Sequence, residues 1–141
     1  MRTSSQGIPN VYPSRAVLGE PPQGLYRMTL TLSNLTCPAQ GMSVLLVGPG
    51  GQKIRPMSHA FGTFDTADGP TVLTFDDLAD LPFPVLQEGA IARGSYRPDT
   101  DQSPPDLSAP APAGPYSSPM STAQSGQVAG VWSLYVAGTS V

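Results

Sequence analysis

The sequence predicts an all-β protein, a single antiparallel β-sandwich. Residues 28–57, MTLTLSNLTCPAQGMSVLLVGPGGQKIRPM, read as strand, short loop, strand, tight Gly-Pro-Gly-Gly turn and strand. The 17 Pro and 15 Gly suit many short strands joined by turns, because Pro removes a backbone donor and Gly weakens helix interiors. Apolar residues return near the end of the chain in another strand-like run, residues 128–136 (VAGVWSLYV). At 141 residues the length fits one domain.

Residues 1–10 are polar, contain Gly7 and Pro9, and are expected to form an arm that orders against a neighbour. Residues 11–141 are the sandwich. Its first strand is expected within residues 11–18, after Pro13, with Ala16 and Leu18 facing opposite to Arg15 and Val17. Gly19, Pro21, Pro22 and Gly24 make the next stretch a turn. After Tyr26 a strand alternates, with Met28, Leu30 and Leu32 on one face and Thr29, Thr31 and Ser33 on the other.

Residues 36–41 read as a loop. The run 44–47 is continuously apolar, as expected of a strand buried deep in a sandwich. A hairpin turn at Gly48, Pro49, Gly50 and Gly51 leads to a strand that sets Ile54 and Met57 against Lys53 and Arg55.

Residues 58–70 read as a polar loop containing Phe61 and Phe64, and residues 71–75 (TVLTF) as a β-branched strand. Residues 76–81 suit one helical turn with Asp76 as N-cap, stopped by Pro82 and Pro84. Residues 91–97 read as a short strand. Residues 98–125 hold seven prolines and are expected to cross the sandwich as an ordered meander anchored by Leu107, Tyr116 and Met120. In the last strand, Trp132, Leu134 and Val136 share one face, and Val131, Ser133 and Tyr135 the other. Six or seven strands and at most one helical turn are expected.

Only 12% of residues are charged, and the 7 basic and 10 acidic residues give a net charge of −3. No cluster of Lys and Arg exists to track phosphates, so no nucleic-acid partner is expected. No segment approaches the ~18 apolar residues of a membrane span, so membrane insertion is not expected. The first residues lack the apolar centre of a secretory signal, which suggests either a mature or tagged chain or one that reaches its destination without a leader. Cys37 is the sole cysteine. It excludes an intrachain disulfide and leaves an intermolecular one open.

No catalytic constellation is expected. His59 is the single histidine, lies in a loop, and has no nucleophile-elbow serine or informatively spaced cysteine to work with. Asp76 and Asp77 form the one tight acidic pair. They read either as a helix cap with a solvated neighbour or as a pair able to share a proton or hold a hard cation. The Gly48–Gly51 turn lacks the Lys-Ser/Thr and the helix of a phosphate loop. Trp132 reads as a core residue and Tyr135 as a surface aromatic able to stack on a sugar. Asn34, Leu35 and Thr36 fit a glycosylation pattern short enough to recur by chance. No catalytic, metal-binding or cofactor-binding residue is assigned, and no cofactor is expected.

Seven pieces in register, Tyr12-Pro13-Ser14, residues 28–36, 45–51, 73–77, 94–98, 109–116 and 130–136, resemble the P domain of subtilisin-like proprotein convertases, in its bacterial and phage surface-protein variant. The resemblance covers about residues 11–136 and implies a jelly-roll-like sandwich. Members usually carry acidic residues where this chain has Gln40, Gly41 and Ser43, so no calcium site carries over. Members also continue beyond the W-S-L-Y-V strand into a final strand that this chain lacks, which leads one to expect an open sheet edge on the neighbour of the missing strand unless something covers it.

The function expected from these readings is a non-enzymatic structural subunit on a virion or extracellular surface, such as a capsid decoration or cement protein. It would attach to further copies or to a coat protein through the open edge and the N-terminal arm. Two alternatives stay open. One is a carbohydrate- or protein-binding adhesion module using residues 58–70 and 98–125 with Tyr116 and Tyr135. The other is an accessory P domain of a secreted protease.

Overall fold

The computed structural model describes residues 14–19, 27–35, 43–57, 63–64, 71–83, 90–99, 107 and 110–137. The strands are β1 (Ser14–Leu18), β2 (Leu30–Leu35), β3 (Ser43–Val47), β4 (Lys53–Met57), β5 (Thr63–Phe64), β6 (Thr71–Phe75), β7 (Ala90–Ile91), β8 (Gly94–Tyr96) and β9 (Gly130–Ala137). A 3-10 helix, Met120–Ser125, precedes β9. The larger sheet has the order β1-β9-β3-β4 and is antiparallel throughout. The smaller has the order β2-β6-β8, and β5 pairs with β7.

The two sheets share one core, as an all-β sandwich requires. Val44, Leu46, Ile54, Met57, Trp132 and Val136 from the larger sheet meet Leu32, Leu73, Phe75 and Tyr96 from the smaller. Phe83 enters between Phe75 and Tyr96, with ring centroids 5.7 and 5.9 Å away. The alternation read in β2 holds, since Leu32 is buried and Met28 and Leu30 pack half-buried against the core.

A second cluster lies on the outer face of the larger sheet. Leu45 and Tyr135 are covered there by Leu107, Ala111 and Tyr116 of the proline-rich meander. This explains the unbroken apolar run of β3: Val44 and Leu46 point into the sandwich while Leu45 points under the meander. The expected anchors Leu107, Tyr116 and Met120 are all buried.

Ile54 and Met57, three residues apart, both face the core because a register shift between Val44 and Leu46 adds a residue on β4. Arg55 departs from the expected polar face. It is 2% exposed, with its guanidinium carbon 4.9 Å from the centroid of the Tyr116 ring.

Four other expectations are corrected. Residues 76–81 form no helix: Leu78 N donates to Asp76 Oδ1 and Ala79 N to Asp76 O, which closes a turn. The helix instead occurs at Met120–Ser125, within the segment read as meander. The strand read at 91–97 is split into β7 and β8, with Gly94 at φ 149° after the break. Thr63–Phe64, read as loop, pairs in parallel with β7, and β6 pairs in parallel with β8.

Candidate functional site

The residues singled out for chemistry are used for structure. Asp77 Oδ1 accepts from Met120 N at 2.7 Å and Oδ2 from Ser121 N at 2.9 Å, so the carboxylate caps the 3-10 helix and is not a solvated neighbour of Asp76. Asp76 holds its own turn and lies 3.3 Å from the Arg27 guanidinium. A groove of about 230 Å³ runs between this turn and the helix, lined by Arg27, Met28, Asp77, Leu78, Ser121 and Gln124. Among the described residues no three of His, Cys, Asp and Glu gather in one place. Cys37, His59, Thr36, Gln40 and Gly41 lie outside the described residues.

The Gly-Pro-Gly-Gly segment is the hairpin turn it was read as. Gly51 N donates to Gly48 O, Gly48 N donates to Gln52 O, and Gly51 has φ 85°. Sequence reasoning missed Gln52. Its Oε1 accepts from Gly50 N at 2.8 Å, and its Nε2 donates to Ala123 O and Gln127 O at 2.9 and 2.8 Å. One buried amide thus ties the hairpin to the helix and to the approach to β9.

The aromatic platform does not exist. Trp132 is core, as read, and its Nε1 donates to Val128 O. Tyr135, read as a surface residue, is buried against Leu45 because the meander covers that part of the sheet. Tyr116 is buried as well, its hydroxyl donating to Pro112 O and accepting from Leu107 N. Neither tyrosine offers a face to a sugar ring.

What the larger sheet does present is an edge. The last strand, β9, is flanked on both sides, by β1 and β3, so the edges of this sheet are β1 and β4. At the β4 end the backbone is occupied: Arg55 N donates to Ser117 O, Ser117 N to Lys53 O, and Asp99 N to Pro56 O. At the other end lies β1. Its register with β9 runs without interruption from Ser14↔Leu134 to Leu18↔Gly130, and among the described residues nothing pairs with its far side.

Two apolar side chains stand exposed on the outer face at this end, beside Arg15 and Ser133. Val17 stands directly opposite Val131, and they are 76% and 46% exposed. Covering one valine side chain fully is worth about 1.5 kcal/mol or more. The smaller sheet ends at β2 and β8; β2 shifts register between Leu32 and Leu35, and its Thr31 hydroxyl bonds that of Thr74 on β6 at 2.9 Å. A shifted edge strand resists strand addition more than a regular one.

No family model, curated protein or solved structure matches this chain. No helix among the described residues is long and apolar enough to cross a membrane.

Proposed function

We propose that this protein is a non-enzymatic structural subunit that attaches to a larger assembly by strand addition at β1, in the manner of a decoration or cement protein on a virion or extracellular surface. The observation that carries the reading is β1, regular in register and unpaired on its far side among the described residues, with Val17 and Val131 exposed side by side. A strand laid along β1 satisfies its outward N–H and C=O groups and covers both valines in one step. The low charge of the chain agrees with a surface specialised for contact, and the P-domain resemblance agrees with a jelly-roll-like module of surface proteins.

The test co-expresses the chain with the shell and surface proteins encoded beside its gene and follows it by sedimentation. The wild-type chain is expected to travel with assembled particles in fixed stoichiometry. Val17→Lys is expected to lower bound chain at least tenfold while its melting temperature stays unchanged. A chain that remains in the supernatant with every such protein overturns the reading, as does a Val17→Lys variant that sediments like the wild type.

A further inference from the structure

We infer that the partner β1 accepts in solution is a second copy of itself, added antiparallel about a twofold axis at Ala16, so that two four-stranded sheets become one of eight. This rests on the reading of β1 as the assembly edge and names its occupant. The five residues of β1, SRAVL, decide the geometry. Antiparallel pairing centred on Ala16 matches all five: Ser14 with Leu18 of the second copy, Arg15 with Val17, and Ala16 with itself.

Charge selects this register. Arg15 is the only charged residue of β1. Parallel in-register addition, or an antiparallel register slipped to centre on Arg15, sets guanidinium against guanidinium, and like charges directly opposite destabilise a sheet. A slip to Val17 pairs only the last three strand residues with one another and leaves Ser14 and Arg15 beyond the partner strand. Centred on Ala16, each Arg15 lays its aliphatic stem along the exposed Val17 of the other copy and keeps its charged head in water. The outer face then carries two rows related by the axis, each running Val131, Val17, Arg15, Ser133 across the joint. The contact is isologous and closes, so it yields a dimer and not a fibre.

A five-residue edge is a small interface, so the dimer is weak and concentration-dependent. Light scattering from about 10 µM to about 1 mM is expected to show reversible dimerisation. In a Cys37→Ser background, Ala16→Cys is expected to oxidise to a disulfide-linked dimer, because residues paired across an antiparallel joint have Cα atoms about 4.5–5.5 Å apart, within disulfide reach. Ser14→Cys, about 14 Å from its copy, is expected to stay reduced. Val17→Lys is expected to shift the dimer midpoint at least tenfold to higher concentration. A chain monomeric at about 1 mM overturns the inference, as does a dimer that crosslinks through Ser14→Cys or Val17→Cys in preference to Ala16→Cys. If the chain is monomeric yet Val17→Lys still abolishes co-sedimentation, the second copy is excluded and β1 remains the attachment edge.

Discussion

The carboxylate of Asp77 sits at the start of a helix 43 residues further along the chain, accepting Met120 N at 2.7 Å. It also takes Ser121 N. The helix cannot supply this cap itself, because its N-cap position is Pro119, which makes no side-chain cap bond. Asp77→Ala is expected to cost about 1–2 kcal/mol, the usual range for a lost cap, with a smaller loss for Asp77→Asn. Asp80→Ala, at an exposed position of the same turn, is expected to change little. Urea midpoints of the three variants check the ranking.

Gln52 makes a stronger claim on the fold. Replacing it by Ala leaves Gly50 N, Ala123 O and Gln127 O without their partner, and an expected loss of about 2–4 kcal/mol follows from the cost of unmet buried groups. Gln52→Glu is expected to cost at least as much, since a carboxylate would then face two carbonyls. Gly48 depends on the same amide: a Cβ there would lie 2.4 Å from Gln52 Oε1 and 2.8 Å from the Trp132 ring. Gly48→Ala is therefore expected to destabilise by about 1–3 kcal/mol. Because Gln52→Ala removes part of that clash, the double variant is expected to lose less than the two single losses added. A thermal-denaturation double-mutant cycle measures the coupling.

Arg55 lies almost wholly inside, under the Tyr116 ring. Replacing a buried guanidinium gives up both its packing and its polar interactions, and an apolar side chain of similar length restores only the packing. Arg55→Ala, which also leaves a cavity, is expected to lose about 3 kcal/mol or more, and Arg55→Met to recover the packing part of that loss. Tyr116→Phe keeps the ring but gives up the bonds to Pro112 and Leu107 and is expected to cost about 1 kcal/mol. Equilibrium unfolding of these variants distinguishes packing from charge. A methionine variant as unstable as the alanine one would assign the stability to the guanidinium.

The all-β sandwich was legible because its signals are local. Alternation in β2, the apolar run of β3 and the glycine turn before β4 each lie within a few residues and depend on no distant partner. What was not legible depends on the meander. Tyr135 alternates as a surface residue should, and only the arrival of Leu107 and Tyr116 on that face buries it. Arg55 disappears for the same reason. Asp77 and Gln52 find their partners 43 to 75 residues away, and nothing in the neighbouring sequence marks them. Which strand forms an edge was not legible, because nothing in the local sequence marks that β1 lies against β9.

Tyr96 gives the chain a pH dependence of definite sign. Its hydroxyl donates to Ala92 O at 2.7 Å, and burial raises its pKa above the ordinary value of 10.0. The folded chain thus holds this proton more tightly than the unfolded one. Below about pH 10 both forms are protonated and the contribution of Tyr96 is fully present. As pH rises through the unfolded value toward the raised folded value, the unfolded chain releases the proton first and stability falls. Tyr96→Phe removes both the hydrogen bond and the titration. At pH 8 it is expected to be less stable than the wild type by about 1 kcal/mol. Above about pH 10 its unfolding midpoint is expected to decline less steeply, so that the two curves converge. The other tyrosines are common to both proteins, so the difference between the curves belongs to Tyr96, and parallel curves across that range would remove it as the source.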